Sequence, residues 1–292
     1  MSAPSPAPQP PQREPPQPPP AQAQASRPRR RPLLHLSNRV KIWFASLLSL
    51  ASGYVISNVR ELAVRPPLVL GQDAVSTPAS ALARVTLEHD PQPFINIVPA
   101  SAEVKTLLVF YPGGRVRPQA YEWLGRALAV RGVQTVIPAF PLDLAITGTE
   151  RAEGLIARYG AGKRVVLAGH SLGGTVAAQY AALRPDKIDG LLLLAAYPAP
   201  NVNLHDARFP ALSLLAEKDG VADAGLVRGG LERLPKNTRL TVLPGAVHSF
   251  FGRYGPQQGD GVPTVSRARA EREIVQAVET FIDQLPPHAS QP

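Results

Sequence analysis

Three polar side chains, far apart in the chain, have the types needed for nucleophilic acyl chemistry: Ser171, Asp219 and His248. Ser171 lies in Gly169-His170-Ser171-Leu172-Gly173, between an apolar run (Arg164 to Ala168) and a small-residue run (Gly174 to Ala178). Strand, sharp turn and helix is the context in which Gly-x-Ser-x-Gly raises a serine hydroxyl above a strand end. The glycines fit because a side chain at either position would collide with a neighbouring strand or helix. A serine hydroxyl is a weak nucleophile; it needs a base, and the base needs an orienting carboxylate. His248 follows the predicted strand 238–243, and Asp219 follows the predicted strand 211–216. All three therefore come just after a strand, where open α/β sheets place their sites.

The other histidines are weaker candidates. His170 adjoins the serine, and two neighbours on one sharp turn cannot both point at a substrate, so it is expected to pack. His205 is expected to be solvated; His35, His89 and His288 fall in tails or an early turn. Asp223 is the rival carboxylate. It is expected to open the next helix, because an Asp at a helix start caps free N–H groups.

These segments carry a resemblance. Tyr111-Pro112-Gly113-Gly114, Gly169 to Gly174, Lys218-Asp219-Gly220 and Gly245-Ala246-Val247-His248-Ser249-Phe250-Phe251 resemble the α/β-hydrolase superfamily, in its small lidless esterase branch (dienelactone-hydrolase-like or cutinase-like). Tyr121 to Ala129 is similar to that branch's first helix. The chain order Ser171, Asp219, His248 is the order this fold uses. The resemblance spans residues 80–284. It implies an α/β-hydrolase fold: a mostly parallel central sheet with helices on both faces and no sizeable lid domain. It also implies a serine hydrolase that cleaves carboxylic esters through an acyl-enzyme. An acyltransferase with the same triad, or a membrane-tethered binding protein with a vestigial one, would share the pattern.

An oxyanion site needs N–H donors aimed at the developing charge. One is expected at Leu172, after the nucleophile. The resemblance puts the other in the loop after strand 106–110, with Gly114 first and Gly113 second. Tyr111-Pro112 stands where the superfamily often has His-Gly. Only Ala195 to Pro210 separates the sixth and seventh predicted strands, too little for a helical cap. The site is thus expected to be shallow, with substrate-binding walls from Tyr111, Phe140, Leu142, Tyr197, Phe250 and Phe251, and apolar walls favour a neutral ester.

Composition narrows the remaining classes. The chain has 292 residues and no cysteine, which excludes a disulfide framework, a thiol nucleophile and Cys-based zinc sites. No metal-ligand spacing and no phosphate-binding loop is present, so no cofactor is expected. The net charge is +9, and seven basic residues against one acidic fall within the first 41. The remainder is only mildly basic, which gives no case for a nucleic-acid partner.

The organisation read from sequence is a Pro-rich, basic, disordered tail (1–41), an apolar segment (42–59), a linker (60–80), the catalytic domain (81–284) and a short disordered tail (285–292). Residues 1–32 hold 12 prolines and cannot bury enough apolar surface to order themselves. The segment from Ile42 to Val59 is 18 residues without a charge. That length serves as a signal segment or just crosses a bilayer. The basic excess before it predicts a cytoplasmic N-terminus and an extracytoplasmic, membrane-anchored catalytic domain, or a secreted one after cleavage. The expected partners are a small-molecule or lipid-like ester and, through this segment, the membrane.

Overall fold

In the computed structural model the described residues are 49, 65–69 and 82–286. The chain divides into two units, Met1–Arg60 and Glu61–Pro292, and the fold belongs to the second. The expectations for 1–41, for nearly all of 42–59 and for most of 60–80 and 285–292 lie outside the described residues. Among those described, no helix is long and apolar enough to cross a membrane.

Eight strands form one sheet: β1 (Ala83–Glu88), β2 (Phe94–Pro99), β3 (Thr106–Tyr111), β4 (Val133–Pro138), β5 (Arg164–His170), β6 (Gly190–Leu194), β7 (Ala211–Ala216) and β8 (Arg239–Leu243), in the order β1-β2-β4-β3-β5-β6-β7-β8. β1 pairs antiparallel with β2, and β2 with β4. All the other pairings are parallel, from β4 through to β8. The interleaved helices are α1 (Glu122–Ala129), α2 (Arg151–Tyr159), α3 (Leu172–Leu183), α4 (Ala224–Gly230) and α5 (Arg267–Asp283).

The continuous apolar strands follow from burial on both faces. Successive side chains point to opposite faces. Leu108, Phe110, Val166, Ala168, Leu192 and Leu194 pack with Trp123 and Leu124 of α1 and Ile274 and Val278 of α5. The alternate residues Leu107, Val109, Val165, Leu167, Leu191 and Leu193 pack with Leu155 of α2 and Val176 and Tyr180 of α3. A one-residue slip in β5 would exchange these two sets.

The segment expected to resemble the first helix, Tyr121 to Ala129, forms α1 from Glu122, preceded by a 3₁₀ turn at Pro118–Tyr121. Asp223 does cap α4, accepting the Leu226 N–H at 2.8 Å. No lid stands between β6 and β7; that connection is folded down by buried Val202, Leu204 and Phe209.

The chain order reverses between β3 and β5. From β3 the chain moves outward to β4, and from β5 it moves the other way through β6, β7 and β8. That switch point leaves a crevice at the carboxyl ends of the strands, and the candidate residues follow β3, β5, β7 and β8.

Candidate active site

Ser171 sits between the last residue of β5 and the first of α3, with φ 52° and ψ −125°. A non-glycine residue in this region is strained, and the surroundings must hold it there. They do so by close packing. A Cβ on Gly173 would lie 2.2 Å from the Tyr111 carbonyl oxygen and 2.3 Å from that of Pro112. A Cβ on Gly169 would lie 2.4 Å from the Gly173 carbonyl carbon and oxygen. Only glycine lets α3 start this close to the end of β3. The Ser171 N–H donates to the Leu194 carbonyl at 2.9 Å, tying the turn to β6.

His248 and Asp219 meet on the other side. Nδ1 of His248 donates to Asp219 Oδ2 at 2.9 Å, with both side chains 1% exposed. The other carboxylate oxygen accepts the N–H groups of Val221 at 2.9 Å and Ala222 at 2.7 Å. The carboxylate can only accept, so Nδ1 carries a proton, and in the neutral form of the ring Nε2 is the acceptor. That Nε2 is buried and has no hydrogen-bond partner among the described residues. The His170 and His248 ring centroids are 4.5 Å apart, which sets the imidazole beside the residue preceding Ser171.

His170 packs, as its position suggested, and it also joins a hydrogen-bonded chain. The Tyr121 hydroxyl accepts the Gly113 N–H at 2.9 Å and lies 2.8 Å from His170 Nδ1. Complete burial, then the neighbouring His248, drive the His170 pKa well below its ordinary value, so the ring stays neutral. Burial raises the Tyr121 pKa, so that hydroxyl stays protonated.

The Tyr121 contact separates the two loop glycines. The N–H of Gly113 is occupied, whereas those of Gly114 and Leu172 have no partner among the described residues. A Cβ on Gly114 would lie 3.1 Å from Leu172 Cδ2, so these two backbone segments are adjacent.

The expected walls are mostly core. Tyr111 is wholly buried; its hydroxyl donates to the Thr149 carbonyl at 2.6 Å and accepts the Ala152 N–H at 2.8 Å. Phe140 packs edge-on against it at 5.1 Å. Phe250 is buried beneath the Arg267 guanidinium, 4.5 Å from its ring centroid, and Phe251 is buried beside His170. Strand-end position alone did not reveal that these rings have partners pulling them inward. Tyr197 is half-buried, and Leu142 projects outward at the rim.

Asp260 is the residue the sequence reading missed. Its Oδ1 accepts the N–H groups of His248 at 2.9 Å, Gly261 at 2.9 Å and Gly220 at 3.4 Å, and Oδ2 accepts that of Ser249 at 2.9 Å. One carboxylate therefore ties the loop holding His248 to the loop holding Asp219. The available signal was Gly259-Asp260-Gly261. A Cβ on Gly261 would lie 1.8 Å from the Lys218 carbonyl oxygen. A cavity of about 1160 Å³ opens at the opposite, amino ends of the strands, lined by Val165, Asp189 and Phe209 among others, and shares no residue with this site.

Comparison with known proteins agrees with the fold. Many solved structures share it, three of them as follows. A CIB-like hydrolase from Thermoplasma acidophilum is 14% identical, with a TM-score of 0.55 over 70% of this chain and 100% of its own. Est1E from Butyrivibrio proteoclasticus is 13% identical, with a TM-score of 0.51 over 69% and 99%. A serine hydrolase without a lid from Xanthomonas campestris is 19% identical, with a TM-score of 0.51 over 71% and 97%. No curated protein matches the sequence. Residues 107–272, more than half of the chain, match the alpha/beta hydrolase family, and the chain belongs to that family.

Proposed function

We propose that this chain is a serine hydrolase of carboxylic esters. Ser171 Oγ attacks the ester carbonyl while His248 Nε2 takes its proton. Asp219 holds the imidazole and stabilises its cationic form. The N–H groups of Leu172 and Gly114 receive the oxyanion, and water then cleaves the acyl-enzyme through the same histidine. The observation that carries this reading is the 2.9 Å Asp219–His248 bond, which leaves a buried nitrogen on a ring 4.5 Å from that of His170, the residue before the strained Ser171.

Neutral esters fit best, because the mouth carries apolar side chains and no lid. We also assign residues 42–59 as a membrane anchor with the catalytic domain outside the cytoplasm, on the strength of the basic cluster before that apolar run.

The test is turnover of p-nitrophenyl butyrate by the full chain. Ser171→Ala should lower it by at least about a thousandfold, the cost of losing a triad member. Activity retained in that variant overturns the assignment.

A further inference from the structure

Large apolar side chains stand out at the mouth of the site. Leu142 is 74% exposed, Ile146 60% and Val262 81%, with Val221 and Leu226 also exposed. All five follow the carboxyl ends of β4, β7 or β8, so they share the sheet edge that carries Ser171. They form two lips. On one side, the Asp143 carbonyl accepts the Arg115 N–H at 2.7 Å, and Leu144 lies 3.8 Å from a Cβ placed on Gly114; this fixes Leu142 and Ile146 beside the Leu172 end of the site. On the other, a Cβ on Gly220 would lie 2.8 Å from the Gly261 nitrogen, so the backbone segments that lead into Val221 and Val262 are adjacent, beside Asp219. Leu142 and Asp143 hold φ of 57° and 54°. An apolar side chain kept outward on a strained backbone marks a surface with a use.

Residues 65–69 indicate that use. Arg65 ion-pairs with Asp143, next to Leu142. The chain then runs to the segment that follows His248–Phe251. The Gly255 N–H donates to the Pro67 carbonyl at 3.0 Å, Leu68 bridges to Tyr254, and the Val69 N–H donates to the Arg253 carbonyl at 2.9 Å. The uncharged apolar run ends at Val59, six residues before Arg65. Six residues reach at most about 20 Å.

We propose that the lips rest on a lipid bilayer and that the site takes its ester from the membrane. This rests on the esterase reading above and on the apolar run as anchor. With the run in the bilayer, six residues of chain join it to Arg65, whose ion pair with Asp143 adjoins one lip. The lips then bury apolar area in the interface, and an acyl chain reaches Ser171 between them without crossing water.

The chain has no cysteine, so a single introduced thiol is a unique label. Full-length Val262→Cys, carrying an environment-sensitive nitrobenzoxadiazole, is mixed with phosphatidylcholine vesicles. Its emission should brighten and shift to the blue, whereas the same label at exposed Ala161→Cys, on the opposite end of the sheet, should not change. A silent label at 262, whether or not the chain sediments with the vesicles, overturns the proposal.

A kinetic arm uses Ile146→Ser/Val262→Ser. It should cut hydrolysis of vesicle-borne 4-methylumbelliferyl palmitate by about tenfold or more, from the lost apolar burial, and leave p-nitrophenyl butyrate in solution unchanged. Equal rates on both substrates for variant and parent contradict the proposal, as does an equal loss on both. A wild-type chain that cleaves neither ester defeats the esterase reading instead, and the label then still decides whether the lips dock.

Discussion

The two halves of the candidate site are held by different forces. The serine half, formed by the ends of β3 and β5 and the start of α3, is fixed by steric contact: backbone against backbone, with glycine wherever a Cβ would collide. The acid–base half, formed by the loops after β7 and β8, is fixed by charge. Asp219 takes two N–H groups and the imidazole, and Asp260 takes four N–H groups from three segments. Arg267 of α5 clamps the same turn from below through the Ser249 carbonyl at 2.9 Å and the Tyr254 carbonyl at 3.0 Å. Packing holds the strained Ser171 still, because close-packed backbone cannot yield. Hydrogen bonds hold the His248 ring, which would change charge in the proposed reaction.

This contrast predicts different failures. Gly173→Ala should damage both stability and activity, because backbone carbonyls from β3 would have to move. The expected cost is about 3 kcal/mol, read as a melting temperature lowered by roughly 10 °C, with esterase activity at background. Asp260→Ala should act mainly on turnover. Misplacing a catalytic group by an ångström costs on the order of a hundredfold, so kcat per titratable serine should fall by about that factor while KM moves little. Asp260→Asn should lose less, since one oxygen still accepts from the His248 N–H. An Asp260→Ala enzyme with normal kcat per active site would make Asp260 a structural residue only.

The smallest effect concerns pH. His170 is neutral in the fold and has its pKa held below the ordinary 6.5, so below pH 6.5 the unfolded chain binds a proton that the folded chain does not. Stability from this group is complete above that value and is lost as pH falls below it, at up to about 1.4 kcal/mol per pH unit. Urea midpoints compared between neutral and mildly acid buffer should show that loss, and His170→Gln should reduce it.

The same contrast explains what could be read from sequence. The serine half was legible because its constraint is local: strand, turn, glycines and helix are contiguous, and each glycine reports a collision. The strands were legible because burial on both faces leaves unbroken apolar runs such as Leu191 to Leu194. Asp219 and His248 could be placed by the rule that sites follow strand ends. Asp260 could not, since its partners at 220, 248 and 249 come together only through the β7–β8 pairing. The same holds for the aromatic residues. Tyr111 and Phe250 stand at strand ends or in turns like site residues, but Thr149, Ala152 and Arg267 draw them into the core, and no spacing along the chain reports those partners.

The central claim is that Ser171 is made reactive by His248. The most direct measurement is labelling of the full chain with a fluorophosphonate probe, followed by mass spectrometry of the modified peptide. The account predicts one adduct, on Ser171, formed quickly in the wild type and slowed by orders of magnitude in His248→Asn. Absence of an adduct, an adduct on another residue, or labelling at the wild-type rate without the imidazole would contradict it.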